Sequence, residues 1–144
     1  MPPLLDGATL LESLRQAAVL TDLSAAIVYW NRAAELLYGW QREDALGRLV
    51  FDVTPTTASR QQGEEIFEAV RLGQPWAGDY PVQRKDSLSF VAYVSLTPVR
   101  DAEGTLLGVL GLSENVAQGS HAEGRWSRPP VSPFPTIRRR CGAH

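Results

Sequence analysis

The sequence predicts an α+β domain built around one antiparallel sheet, and three observations predict it. Strand patterns occupy both ends of the folded part, at residues 18–30 and 76–116, while the stretch between repeats its apolar residues at helical spacing. Strands gathered at the two ends, rather than alternating with helices, favour hairpins over parallel crossover units. The chain has 144 residues, 44% of them hydrophobic and 21% charged, enough for one ordinary globular domain with its own core.

The elements follow in order. Thr9-Leu10-Leu11-Glu12 matches a capping box, in which Thr and Glu would satisfy each other's free amides at a helix start. Leu10, Leu11, Leu14 and Ala18 then form one stripe of a short amphipathic helix, expected over residues 9–18 behind an N-terminal extension of residues 1–8. A strand is expected over 18–23, a turn at Asp22-Leu23-Ser24 and a returning strand over 26–30.

Residues 28–40, VYWNRAAELLYGW, read as a strand handing over to a helix rather than as a cofactor box. Asn31 is a preferred N-cap, because its side-chain oxygen can accept from the free amides of the first turn. Ala33, Leu36, Leu37 and Trp40 follow at spacings that place them on one face, expected to pack into the core. A second short helix is predicted over 41–48 and a longer one over 59–72, with Ile66, Phe67 and Val70 clustered on one side and Gly73 as its C-cap. Strands are then predicted over 76–85, 88–99 and 105–116, separated by turns at Asp86-Ser87 and Asp101-Ala102-Glu103-Gly104.

Composition excludes several classes. Residues 1–116 carry 9 basic against 15 acidic side chains, a balance of −6, whereas residues 117–144 carry 5 against 1, a balance of +4. The second block holds four of the prolines and no periodic apolar pattern, so it is expected to be a disordered basic tail or linker. Arg138, Arg139 and Arg140 make too small a cluster for a nucleic-acid footprint. No apolar run approaches the ~18 residues of a membrane span, and a cytoplasmic setting is expected. The one cysteine, Cys141, forms neither an internal disulfide nor a cysteine-based zinc site within the chain.

Catalysis needs a nucleophile with a base, a carboxylate pair or a metal. No histidine lies within residues 1–116, and Glu64, Glu65 and Glu68 read as a solvated helix face. The sequence therefore predicts no enzyme.

Five stretches in order resemble the PAS domain family. Tyr29-Trp30-Asn31-Arg32-Ala33-Ala34 is similar to its strand-to-helix passage, and Tyr38-Gly39-Trp40 with Glu43-Asp44-Ala45-Leu46-Gly47-Arg48 to the passage that follows. Val82-Gln83-Arg84-Lys85-Asp86 resembles its R-KDG hairpin, with Ser87 where glycine is usual. Leu96-Thr97-Pro98-Val99-Arg100-Asp101 with Gly104, and the strand 108–116, resemble its last two strands. The resemblance covers residues 9–116 and implies a five-stranded antiparallel sheet with short helices packed on one face. It also implies sensing and partner regulation, by a pocket between helices and sheet, rather than turnover.

Three cofactors known from the family are argued against by residue type. A covalent flavin or a thioester chromophore would need a cysteine between residues 41 and 73, and a haem would need an axial histidine on the helix over 59–72; neither residue is there. Non-covalent flavin is left open. The register that the resemblance sets turns Phe90, Ala92, Val94, Leu96, Val109, Gly111 and Ser113 inward. Ile66, Phe67 and Val70 face them from the helix, with Val50, Phe51, Trp76 and Tyr80 at the rim. Such a pocket suits a small apolar or aromatic ligand oriented by Ser113, the Tyr80 hydroxyl and the Trp76 indole, or else is simply a filled core.

The other sheet face presents Val91, Tyr93, Leu110 and Leu112, which the stripe of Leu10, Leu11 and Leu14 is expected to cover within the chain or across a homodimer. The expected function is a non-catalytic sensory module that regulates a kinase, cyclase, phosphatase or transcription regulator through the last strand. There Asn115 stands where the family usually carries Asp. The alternative is a constitutive homodimerisation or docking module without a ligand.

Overall fold

Three hairpins build the sheet, and an aspartate closes each one. Asp22 Oδ1 accepts from the backbone amides of Ser24 at 2.9 Å and Ala26 at 3.0 Å. Asp86 Oδ1 accepts from Leu88 N at 3.0 Å, and Asp101 Oδ1 from both Glu103 N and Thr105 N at 2.9 Å. A short carboxylate that bonds its own backbone two residues on is the local reason these sites turn. Ser87 takes the left-handed conformation at φ 76°, the position where a glycine would be unstrained.

The computed structural model describes residues 7–117; the basic tail from residue 118 and the first six residues of the predicted extension lie outside them. In chain order the elements are α1 (Gly7–Ser13), β1 (Ala17–Asp22), β2 (Ile27–Trp30), α2 (Arg32–Tyr38), α3 (Arg42–Ala45), a 3-10 turn (Val50–Asp52), α4 (Arg60–Arg71), β3 (Trp76–Gln83), β4 (Ser89–Arg100) and β5 (Leu106–Asn115). The five strands form one sheet in the order β2-β1-β5-β4-β3, and every adjacent pair is antiparallel. The N-terminal hairpin thus docks its first strand on β5, the last strand among the described residues. Pro81 sits in β3, an edge strand, where its missing N–H costs no ladder bond to an outer neighbour.

The helices pack on one sheet face. Trp30, Tyr38, Ile27, Val70 and Val82 are the largest fully buried apolar side chains. Trp30 and Tyr38 stack with ring centroids 5.6 Å apart, and the Trp30 indole donates to the Trp40 carbonyl at 2.9 Å. Asn31 caps α2, its Oδ1 accepting from Ala34 N at 2.9 Å, and Gly39 ends the helix at φ 81°.

Three expectations are corrected. The N-terminal helix does not run over 9–18: it already includes Gly7 and ends at Ser13, and Ala18 lies in β1. Thr9 therefore does not cap it. Glu12 has tertiary partners instead, taking the Tyr29 hydroxyl, the Arg42 guanidinium and, at 3.2 Å, Arg32 N.

The buried residues of α2 are Ala34 and Tyr38, while Leu36 is 63% exposed. Leu37 and Trp40 do pack, partly buried, against the core, Trp40 from beyond the left-handed Gly39 that ends the helix. The helix expected over 41–48 is the single turn Arg42–Ala45, and α3 ends before the left-handed Gly47.

Candidate functional site

An apolar cavity of about 90 Å³ lies between the inner sheet face and the helices. Its floor follows from strand register. Val94 pairs with Ser113 and Leu96 with Gly111 across β4 and β5, while Val19 pairs with Gly111 and Thr21 with Val109 across β1 and β5. These residues share one face because side chains alternate along a strand. The roof is α4, whose buried side holds Ile66, Phe67 and Val70, together with the 3-10 turn. Phe51 meets Phe67 edge-to-face at 5.5 Å between centroids.

Val50, Phe51, Ile66, Phe67, Trp76, Tyr80, Val94, Leu96, Val109, Gly111 and Ser113 all line this cavity. Three other residues expected there do not. Val70 and Ala92 are wholly buried in the core, and Phe90 packs against Tyr38 with centroids 6.2 Å apart. Sequence reasoning also passed over Val19, Thr21, Tyr38, Thr54, Pro55, Gly63 and Val82, which complete the lining. Val19 and Thr21 could have been found only by knowing that β1 pairs with β5.

The polar groups of the cavity are largely committed elsewhere. Tyr80 is buried rather than at the rim, and its hydroxyl donates to the Ser59 carbonyl at 2.7 Å. Gly63 makes that contact possible, since a Cβ there would stand 2.2 Å from the Tyr80 oxygen. Burial pushes the Tyr80 pKa up, opposed by its bond to Ser59. The Tyr38 hydroxyl donates to Ser113 Oγ at 2.9 Å, joining α2 to the last strand. Burial pushes the Tyr38 pKa up to about 12 despite that bond. Both phenols therefore stay neutral donors at neutral pH. The Thr21 hydroxyl is different: it is buried and has no hydrogen-bond partner. No charged residue lines the cavity.

A second, polar groove of about 340 Å³ adjoins it through Phe51 and Pro55. Arg60, Arg84, Lys85, Asp52 and Trp40 are among its walls. Its cations are engaged within the fold. Arg60 pairs with Asp52 at 2.7 Å and Glu64 at 3.1 Å, and Arg84 donates to the carbonyls of Leu36 and Leu37 at 2.9 Å. Lys85 and Arg48 each lie 4.9 Å from the centre of the Trp40 ring.

On the outer face Val91 is 44% exposed, and Tyr93, Leu110 and Leu112 are half-buried. Leu10 and Leu14 are exposed and α1 buries no residue. Glu12 ties α1 to Tyr29 and Arg42 beside edge strand β2, with β1 and β5 standing between β2 and β4. Leu11, the third residue of that stripe, is half-buried. Among the described residues no helix is long and apolar enough to cross a membrane.

A family profile described as the PAS fold matches residues 5–115, and the chain belongs to that family. It is 26% identical over 109 residues to a nitrogen fixation regulatory protein of Klebsiella oxytoca, covering 76% of this chain and 22% of that protein. It is 24% identical over 112 residues to the cyclic di-GMP phosphodiesterase PdeB of Shewanella oneidensis, covering 78% of this chain and 13% of that protein. The chain thus spans less than a quarter of the length of either relative. Among solved structures, the PAS domain of a protein from Colwellia psychrerythraea superposes with a TM-score of 0.67 at 26% identity, over 75% of this chain and 92% of that one. One relative is a regulatory protein and the other a cyclic di-GMP phosphodiesterase, which supports a sensory or regulatory role for a domain of this family.

Proposed function

We propose that this domain is a non-catalytic cytoplasmic sensor that takes a small apolar or aromatic molecule into the cavity beneath α4. It passes the signal along β5 to a kinase, cyclase, phosphatase or transcription regulator, through a homodimer. The observation that carries the reading is the cavity itself, apolar and walled by the strand that leads out of the domain. Buried small-molecule sites have this apolar lining with a few polar groups. A space of about 90 Å³ falls short of the ~150 Å³ that admits benzene, so one ring needs the walls to give, and a three-ring flavin needs them to repack altogether. That weighs against the non-covalent flavin left open by the sequence.

Melting curves with a panel of one- and two-ring compounds and flavins test it. A site occupied at 100 times Kd adds ~2.7 kcal/mol, a shift of ~10 °C or more for a domain of this size. A melting temperature unmoved by the whole panel contradicts the ligand reading.

The second reading, a constitutive docking module, draws on exposed Val91, Leu10 and Leu14. It predicts a dimer whose melting ignores small molecules. A strictly monomeric mass at high micromolar concentration contradicts dimerisation in both readings.

A further inference from the structure

Thr21 stands out among the polar groups of the cavity. Its side chain is 4% exposed, it lines the cavity, and its hydroxyl finds no hydrogen-bond partner. A valine has the same shape and would leave no polar atom unpaired at that place. The two phenol hydroxyls of the cavity are engaged, Tyr80 with the Ser59 carbonyl and Tyr38 with Ser113 Oγ.

The backbone around Thr21 is held firmly. β1 pairs without interruption with β5 through Thr21 and Val109, while the β1–β2 register shifts beside it, where Val28 of β2 is the extra residue. On the other side Gly108 of β5 approaches so closely that a Cβ there would lie 2.1 Å from the Thr21 carbonyl oxygen. The Thr21 backbone therefore keeps a fixed position in the cavity wall. A lone water would satisfy the Thr21 hydroxyl poorly, because a buried water needs two or more polar partners. Ser113, the nearest committed hydroxyl on β5, pairs with Ala17, four residues along β1 from Thr21.

We propose that Thr21 Oγ1 is the specificity-determining contact of this cavity, and that the cavity selects a neutral molecule of about one ring bearing a single hydrogen-bonding atom. The proposal rests on the ligand-sensing reading above. Charge is excluded because no charged side chain lines the space, and an unpaired ion buried there would be strongly disfavoured. Size is limited by the volume, about 90 Å³, which the walls must widen to seat even one ring. A threonine hydroxyl both donates and accepts, so the ligand atom that meets it is a hydroxyl, a carbonyl oxygen or a ring nitrogen.

The test uses phenol and benzene as probes on the intact chain and on Thr21→Val and Thr21→Ser, with binding followed by amide chemical shifts. Phenol is expected to bind the native protein about 3- to 10-fold more tightly than benzene. Thr21→Val is expected to abolish that preference while leaving benzene binding unchanged, and Thr21→Ser to keep it. Without ligand, Thr21→Val is expected to melt no lower than the native protein. A phenol preference that survives in Thr21→Val overturns the proposal. So does a large fall in its melting temperature, which would mean that the hydroxyl is already satisfied within the fold. Benzene binding without any phenol preference removes the role of Thr21 and leaves the ligand reading intact. Failure of both probes to bind the native protein contradicts that reading as well.

Discussion

The Tyr80 hydroxyl reaches the Ser59 carbonyl at 2.7 Å by passing over Gly63, where a Cβ would stand 2.2 Å from the Tyr80 oxygen. One glycine in the first turn of α4 thereby lets a β3 side chain wall the cavity and pin the start of the helix. The Ser59 carbonyl also accepts from Gly63 N at 3.0 Å, so removing the phenol oxygen does not orphan it.

Gly63→Ala sets two effects of opposite sign against each other. Alanine favours a helix by ~1 kcal/mol over glycine, whereas overpacking a well-filled site costs about 1–3 kcal/mol. In the native background the clash is expected to win and the domain to lose stability. With Tyr80→Phe already present the same change is expected to be neutral or stabilising. Denaturant unfolding of the four proteins of this cycle measures the coupling, and additive effects would contradict the geometry.

Asn31 is fully buried and has all four of its hydrogen bonds. Its Oδ1 accepts from Ala18 N and Ala34 N at 2.9 Å, and its Nδ2 donates to the carbonyls of Leu11 at 2.8 Å and Gln16 at 3.2 Å. Asn31→Ala is expected to cost about 2–4 kcal/mol, combining a lost cap with an orphaned buried amide. Asn31→Asp keeps both acceptor bonds but turns an acid toward two carbonyls, which raises its folded-state pKa. The stability of that variant is therefore highest below the unfolded value of about 4 and declines as pH rises through the raised pKa. Urea midpoints for this variant and the native protein across that range provide the check.

Asp22 and Asp86 titrate in the other direction. The Ser24 hydroxyl, with the amides of Ala26 and Ser24, holds the Asp22 pKa below its ordinary value, and Leu88 N does the same for Asp86. A lowered folded-state pKa gives stability that is present above the unfolded value and lost as pH falls through the folded one. Asn at both positions keeps a turn-forming acceptor without the titration. The double variant Asp22→Asn, Asp86→Asn is expected to lose less stability between about pH 5 and pH 2 than the native chain does.

Tyr38 supplies an alkaline counterpart. Its pKa of about 12 lies above the ordinary phenol value, so its contribution is complete below about pH 10 and is lost as pH rises toward the folded-state value. Ultraviolet titration should show a late-ionising phenol that disappears in Tyr38→Phe. Identical titration curves for the two proteins would contradict its burial.

Local chemistry made much of the fold legible. The three turn aspartates, the Asn31 cap and the alternation along β4 and β5 each depend on neighbours a few residues away, so sequence alone points to them. What was not legible depends on distant partners. Glu12 reads as half of a capping box until Tyr29 and Arg42 arrive from other elements. Tyr38 reads as a diagnostic aromatic until Ser113, on the last strand, takes its hydroxyl and turns that side of α2 inward at the expense of Leu36. Val19 and Thr21 enter the cavity only because β1 pairs with β5 across nearly the whole length of the described domain. Gly63 looks like a weak point in a helix until Tyr80 comes to rest over it.

The central claim is that the space beneath α4 is a ligand site and not a packing gap. Amide spectra of the native chain, titrated with neutral one-ring compounds, test it most directly. The account predicts saturable shifts concentrated at Thr21, Gly63, Val109, Gly111 and Ser113, with smaller changes along β5 toward Asn115. A spectrum that every compound leaves unchanged, or shifts confined to the outer sheet face, would contradict it.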